Sequence, residues 1–295
     1  MLKRTLVFTT PIQLSLRNAQ IVLNTKEMPS EQKTIPIEDV GMVMIEHQQV
    51  NITMPLINAL VDAGVSIIFC DAKGLPHAII QNLDGNSLQG EFLRKQVDVS
   101  DVLKKQLWKQ IIEAKIRNQA SLLQKLGNDS SQMKPLYQNV KSGDTDNREG
   151  IAARLYWTTL FGEDFSRDRT LGGINALLNY GYAILRASTA RALVASGLTP
   201  ALGIFHHNRS NAFPLADDIM EPYRPFVDMI VYQLCEEGKL EISKETKAEL
   251  INVVYCDTSF PEVVRPLQVG LSLTTASLAR CFAGESKSLQ LPKLQ

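Results

Sequence analysis

The residue types best suited to chemistry cluster between Gly203 and Asp228, GIFHHNRSNAFPLADDIMEPYRPFVD. Two of the four histidines, His206 and His207, fall here with Asp217, Asp218 and Glu221. Imidazole and carboxylate both offer lone pairs at neutral pH, so the set suits a divalent cation. Pro214 costs nothing in the first turn of a helix, which predicts a helix over Leu215 to Glu221. Asp218 and Glu221 then lie three residues apart on one face, with Asp217 reaching the same face one turn before Glu221. Pro222 and Pro225 should kink or restart the helix just beyond. An acidic first turn beside two ordinary polar histidines would look the same.

The elements that must position these groups read in two blocks. Residues 1–82 are strand-like. Ile12, Leu14 and Leu16 alternate with polar residues, Asn18-Ala19 offers a turn, and Gly41–Glu46 and Val50–Thr53 continue the pattern. An antiparallel sheet or sandwich is expected, with one short helix after Pro55 that Gly64 stops, then a buried strand over Val65 to Cys70. His47 and His77 have no carboxylates at ligand spacing. The turn-rich run Asn82 to Ser87 marks the boundary, and 83–295 reads as helical. The fold class expected is α+β: a β-rich, sandwich-like N-terminal domain and a larger all-α domain.

Between Arg94 and Lys125 the chain carries eight basic residues against three acidic ones. Capping at Ser100 or Asp101 and apolar residues at helical spacing place these charges on a long amphipathic helix, either a solvated face or a track for a polyanion. Asn139 to Asp146 reads as polar and flexible. The helix that follows opens with Asp146 or Asn147 as cap and carries Glu149 in its first turn, where any surface helix favours an acid. Gly150, Ala152 and Ala153 leave room there for another helix or a bulky ligand. Ile174 to Ser196 is apolar nearly all round, so it should be central. Asn175, Asn179, Tyr182 and Arg186 nevertheless form one polar ridge along it, implying either a polar cavity or a tightly satisfied network. Thr274, Thr275, Ser277 and Arg280 on the last helix suit packing or phosphate contact, and the tail from Ser286 is expected to be loose.

Composition narrows the classes. Formal net charge is zero, so any nucleic-acid footprint must be local. Cys70, Cys235, Cys256 and Cys281 have no paired spacing, which argues for reduced thiols in a cytoplasmic protein. No signal-peptide core and no apolar run of spanning length is present, so no membrane role is expected.

Four runs in order carry a resemblance. Glu149-Gly-Ile-Ala-Ala-Arg-Leu-Tyr-Trp157, Asn175-Ala-Leu-Leu-Asn-Tyr-Gly-Tyr182, Gly203-Ile-Phe-His206 and Leu215-Ala-Asp-Asp-Ile-Met-Glu-Pro-Tyr-Arg-Pro225 resemble the signatures of the CRISPR-associated integrase-nuclease family, in its type II form. The resemblance implies a DNA integrase and endonuclease that inserts spacers during CRISPR adaptation and antiviral defence. It implies Glu149, His206 and Glu221 as catalytic metal ligands for Mg2+ or Mn2+, with Asp218 as a possible additional acid. It selects His206 over His207, and Asp217 stands where relatives often have an apolar residue. On this reading Asn175, Asn179 and Tyr182 position DNA with the basic segment. Implied partners are prespacer and repeat DNA, a second copy through the N-terminal domain, and a small ferredoxin-like companion. For type II systems the resemblance also implies the large RNA-guided effector nuclease and a further helical adaptation protein as expected partners. A metal-dependent phosphoesterase of small substrates and a non-catalytic DNA-binding assembly subunit are the alternatives.

Overall fold

The computed structural model describes residues 3–24, 33–72, 74, 76–80, 82 and 86–295. The chain divides into two compact units, Met1–Gly85 and Asn86–Gln295. The expected turn residues Asn82 to Ser87 lie partly outside the described residues.

The first unit contains β1 (Arg4–Phe8), β2 (Gln13–Arg17), β3 (Gln20–Asn24), β4 (Lys33–Pro36), β5 (Val40–Ile45), β6 (Asn51–Ile52), α1 (Met54–Asp62), β7 (Ser66–Cys70) and β8 (Pro76–Ile80). Asn18 and Ala19 adopt left-handed φ of 49° and 56°, the two-residue turn that matches strand twist in the β2–β3 hairpin. The strands form two four-stranded sheets, β1-β5-β7-β8 and β4-β3-β2-β6. One apolar core that includes Phe8, Leu14, Ile21, Val43, Leu56 and Ile67 joins both sheets to α1. The expectation of antiparallel pairing is corrected here. β1–β5, β5–β7 and β2–β6 are parallel, so both sheets are mixed. Every residue of β5 is buried, and such continuous apolar runs are typical of parallel strands with cover on both faces. α1 supplies the crossover from β5 to β7 that a parallel pair needs.

The second unit contains α2 (Gln89–Val97), α3 (Asp101–Lys125), α4 (Met133–Gln138), α5 (Arg148–Phe161), α6 (Ile174–Ala195), α7 (Pro214–Met220), α8 (Arg224–Glu236), α9 (Lys244–Ile251), β9 (Asp257–Ser259), β10 (Val264–Pro266) and α10 (Leu267–Phe282). The antiparallel β9–β10 hairpin departs from an all-helical domain. The basic segment is two helices rather than one, because Ser100 starts α3 afresh by accepting from the Leu103 N–H at 3.3 Å. Nor is α3 simply amphipathic. Leu107, Trp108, Ile111, Ile112, Lys115, Asn118 and Leu122 are all buried, so its middle runs through the core.

α6 is central, as its composition requires. It approaches α8 so closely that a Cβ on Gly181 would lie 2.4 Å from Val227 Cγ1. Thr274, Thr275 and Ser277 on α10 are buried, which makes that face packing rather than phosphate contact. The segment after Ser286 is tied down, contrary to expectation. Asn118 Nδ2 donates to Pro292 O at 3.0 Å and its Oδ1 accepts from the Leu294 N–H at 3.1 Å. A buried amide supplies the backbone partners that the tail lacks. None of the four cysteines is bridged. Among the described residues no helix is long and apolar enough to cross a membrane.

Candidate active site

Glu149 is placed by the start of α5. Asn147 sits in the left-handed region and its Oδ1 accepts from the Gly150 N–H at 3.2 Å. Asp144 accepts from the N–H groups of Arg148 at 2.8 Å and Glu149 at 3.1 Å. Two acceptors thus meet three of the orphan donors of the helix start. Gly150 serves this cap rather than a neighbouring helix, since a Cβ there would fall 2.6 Å from Asn147 Nδ2. Asp144 closes a 3-10 turn over Ser142–Asp144, so the segment expected to be loose is the cap of the site helix.

Glu221 leaves α7 and opens a 3-10 turn over Glu221–Tyr223, after which α8 restarts at Arg224. Pro222 and Pro225 explain the break, since neither can donate back into a continuous helix. Lys115, from the buried middle of α3, joins the two glutamates: its Nζ is 2.5 Å from Glu149 Oε1 and 2.6 Å from Glu221 Oε2. Arg224 Nε lies 2.9 Å from Glu221 Oε1. These contacts to Glu221 are ion pairs off the hydrogen-bonding direction, so Glu221 Oε2 and Arg224 Nε have no aligned partner. Burial works against the Glu221 charge, but Arg224 and Lys115 outweigh it and hold the carboxyl down at about 2.

His206 follows a loop folded over Asp218. The carboxylate of Asp218 accepts from the backbone N–H groups of Ile204 at 2.6 Å, Phe205 at 3.0 Å and His206 at 3.2 Å. Gly203 permits the fold, since a Cβ there would meet His206 O at 2.4 Å. His206 Nδ1 lies 2.5 Å from Asp218 Oδ1, and this hydrogen bond raises the imidazole pKa. A carboxylate on Nδ1 holds the proton there and leaves Nε2 as the free lone pair.

The three carboxylates of the acidic run take different partners. Asp217 takes Arg186 in a fork, Nε at 2.6 Å and Nη2 at 3.0 Å, and accepts from Asn211 Nδ2 at 2.7 Å. Asp218 is committed to the His206 loop, and Glu221 to Lys115 and Arg224. His207 lines a neighbouring cleft with Lys104 and Trp108.

The ridge on α6 resolves as a satisfied network. Asn175 Oδ1 accepts from Arg167 Nη1 at 2.9 Å, Asn179 Oδ1 accepts from Arg167 Nη2 at 2.7 Å, and both side-chain amides donate to carbonyls of residues 166 and 169. Tyr182 donates to Asp228, which also accepts from Tyr156 at 2.8 Å. Burial pushes the Asp228 carboxyl up to about 7, against the pull of both tyrosines. The basic window is largely spoken for as well: Lys95 pairs with Glu91 at 2.6 Å, Lys109 with Glu113 at 3.6 Å, and Lys125 donates to Gln295 O at 2.8 Å.

Whether these residues suit a divalent metal can be tested on the arrangement itself. Among the described residues, no three His, Cys, Asp or Glu side chains close on one point as a metal site. Two glutamates from distant elements do close on one cation, the Lys115 ammonium, and a buried Glu221 oxygen there lacks an aligned donor. His206 is near enough to feel the Glu221 charge. The donor set is hard and anionic with one imidazole, which fits Mg2+ or Mn2+. Sequence reasoning overlooked Lys115, Arg224, Asp144 and Asp228 as parts of the site. Arg224 stands within a quoted run and Lys115 within the basic window, but nothing in spacing marks either as a partner of Glu221.

The family model for CRISPR associated protein Cas1 matches residues 6–259, and the chain belongs to that family. A CRISPR-associated endonuclease Cas1 of Neisseria meningitidis serogroup C is 40% identical over 260 residues, covering 87% of this chain and 84% of the relative. Another Cas1 endonuclease, from Francisella tularensis subsp. novicida, is 25% identical, covering 98% and 91%. The fold matches a casposase bound to its integration product, with a TM-score of 0.79, 21% identity and 98% and 93% of the two chains covered.

Proposed function

We propose that this chain is a metal-dependent DNA integrase and endonuclease of CRISPR adaptation, joining a 3′-hydroxyl of captured DNA to a phosphodiester of the repeat. One observation carries the reading: in a Cas1-family chain, Glu149 and Glu221 are drawn from distant elements onto one buried cation position beside a histidine whose Nδ1 is already held. Glu149, Glu221 and His206 Nε2 would hold Mg2+ or Mn2+. Such an ion, when bound, compensates charge building on phosphorus and brings nucleophile and leaving oxygen into line.

The remaining work belongs to the protein. Asp218 keeps the His206 proton on Nδ1 and fixes the ring plane. Asp144 and Asn147 hold Glu149 at the mouth of α5. Arg224, whose charge is reinforced by Glu221 despite burial, keeps Glu221 ionised. In the transfer a new bond forms from phosphorus to the incoming 3′-oxygen, the repeat's own phosphorus–3′-oxygen bond breaks, and the departing oxygen takes up a proton. Water in place of the 3′-hydroxyl gives cleavage. Asn175 and Asn179 would position DNA through Arg167, which they hold, and Tyr182 supports that guanidinium from below at 5.5 Å.

Partners follow from the same reading: prespacer and repeat DNA, a second copy through the strand-rich unit, and a small ferredoxin-like companion, with the RNA-guided effector and a helical adaptation protein beyond them. A chain of a solved Cas6-RT-Cas1–Cas2 complex carries this fold over 36% of its length, with a TM-score of 0.75 and 20% identity. The test is transfer of a labelled DNA end into a supercoiled plasmid carrying a repeat, in Mn2+ with the companion present. Wild type should give product, and His206→Ala and Glu221→Ala none.

The ion pairs of Lys115 also favour one competitor, a non-catalytic assembly subunit in which the glutamates merely satisfy the lysine. Unchanged product from Glu221→Ala would establish that reading instead.

A further inference from the structure

Phe205 and Trp108 make a feature that the metal-site residues do not use. Their rings stack with centroids 4.3 Å apart and planes 4° from parallel. Trp108 is 1% exposed, yet Phe205 directly above it is 46% exposed. His206 meets both rings edge-on, with centroids 5.7 Å away. One exposed phenyl ring is ordinary by itself, so its surroundings must carry the argument.

The surroundings suggest its chemistry. A cleft of about 320 Å³, at the lower end of the range for small-ligand sites, is lined by Lys104, Lys105, Trp108, Ile204, Phe205 and His207. Lys105 is exposed and Lys104 has only a 3.9 Å pairing with Asp101, the one acid on the rim. Trp108 Nε1 is buried with no hydrogen-bond partner among the described residues. A second cleft, about 390 Å³, begins on the other side of the same loop, shares Lys104 and His207, and contains His206, Asn208 and Arg209. A flat aromatic face with cations at its edge, one residue from the candidate ligand, suits a planar ring on a phosphate chain better than an aliphatic protein surface.

We propose that the Phe205 face, backed by Trp108, stacks an unpaired nucleobase of the DNA strand that runs past His206, with Lys104 and Lys105 on the adjoining phosphates. The inference rests on the DNA-integrase reading. Stacking on an aromatic platform tolerates any base, so the subsite distinguishes an unpaired end from a paired one rather than one base from another. Trp108 sets the tilt of Phe205 and is a positioning residue.

The experiment uses the full chain and duplex DNA with a four-nucleotide 3′ overhang, carrying 2-aminopurine or an abasic site at each overhang position in turn. Binding is followed by anisotropy at fixed salt. With wild type, 2-aminopurine emission should fall at one position or two, and an abasic site there should weaken binding roughly five- to 150-fold, the range of one base–aromatic stack. Phe205→Ala should remove both effects, and Phe205→Trp should keep them. Because the abasic comparison is made on wild type, the test survives if Phe205→Ala does not fold. Tight, salt-sensitive binding with no response at any position overturns the stacking proposal and leaves the integrase reading standing. No DNA binding at all overturns both. If Phe205→Ala instead abolishes binding of the small protein companion while the 2-aminopurine signal persists, the face belongs to a protein partner and the proposal fails.

Discussion

Lys115 is the charged side chain that joins the two candidate glutamates. It is 9% exposed and its ammonium lies between two carboxylates. Removing one member of a buried ion pair leaves the other charge uncompensated. Lys115→Met should therefore cost about 3–5 kcal/mol of unfolding free energy in EDTA. It should also recover more stability than wild type does when Mn2+ is added, because two facing glutamates then need a cation. Urea unfolding of both proteins with chelator and with Mn2+ measures this. Equal recovery would mean that Lys115 and the metal do not share the two glutamates.

Within the elements, the start of α5 and the tail of the chain each hold one end of the site. A methyl group on Gly150 collides with the side chain of Asn147. Gly150→Ala should thus displace the cap, cost about 1–2 kcal/mol, and lower strand transfer through misplacement of Glu149. Thermal melts with transfer assays separate the two effects. Asn118 links α3 to the carbonyl of Pro222, 2.7 Å away, as well as to Pro292 and Leu294. Tyr223 reaches the same tail through Thr274, which donates to Gln290 O at 2.6 Å. The turn that carries Glu221 is therefore fastened to the 290–294 segment at two points. Asn118→Ala should cost about 2–3 kcal/mol, since it strips partners from buried backbone groups. It should also raise amide hydrogen exchange across 290–295; unchanged exchange there would show that Asn118 does not hold the tail.

Across the whole molecule, two buried acids oppose each other in pH dependence. Glu221 titrates near 2 in the folded chain, below its ordinary value, so its contribution is complete above about 4.5 and disappears as pH falls toward 2. Asp228 titrates near 7, above its ordinary value, so its contribution is complete below about 4 and disappears as pH rises through 7. Urea midpoints between pH 5 and 8 should decline more steeply for wild type than for Asp228→Asn. Between pH 4.5 and 3 wild type should lose more stability than Glu221→Gln. Parallel curves for either pair would remove that residue from the pH response.

The sequence by itself determined the local elements, because the signals involved are short in range. The β2–β3 turn at Asn18-Ala19, the start of α3 after Ser100, the helix from Pro214 and its break at Pro222 all follow from backbone preference and apolar period. It also brought His206, Asp218 and Glu221 together in one stretch, and the order of the four runs pointed to the family to which the chain belongs. Tertiary structure decided which charges meet. Lys115 is 34 residues from Glu149 and still farther from Glu221, and only the burial of α3 turns a residue of a basic stretch into the cation between them. Parallel pairing, the anchored tail and the Arg167 network on α6 were likewise illegible. Each depends on contacts between distant segments, and spacing along a chain records the period of an element but not the identity of what packs against it.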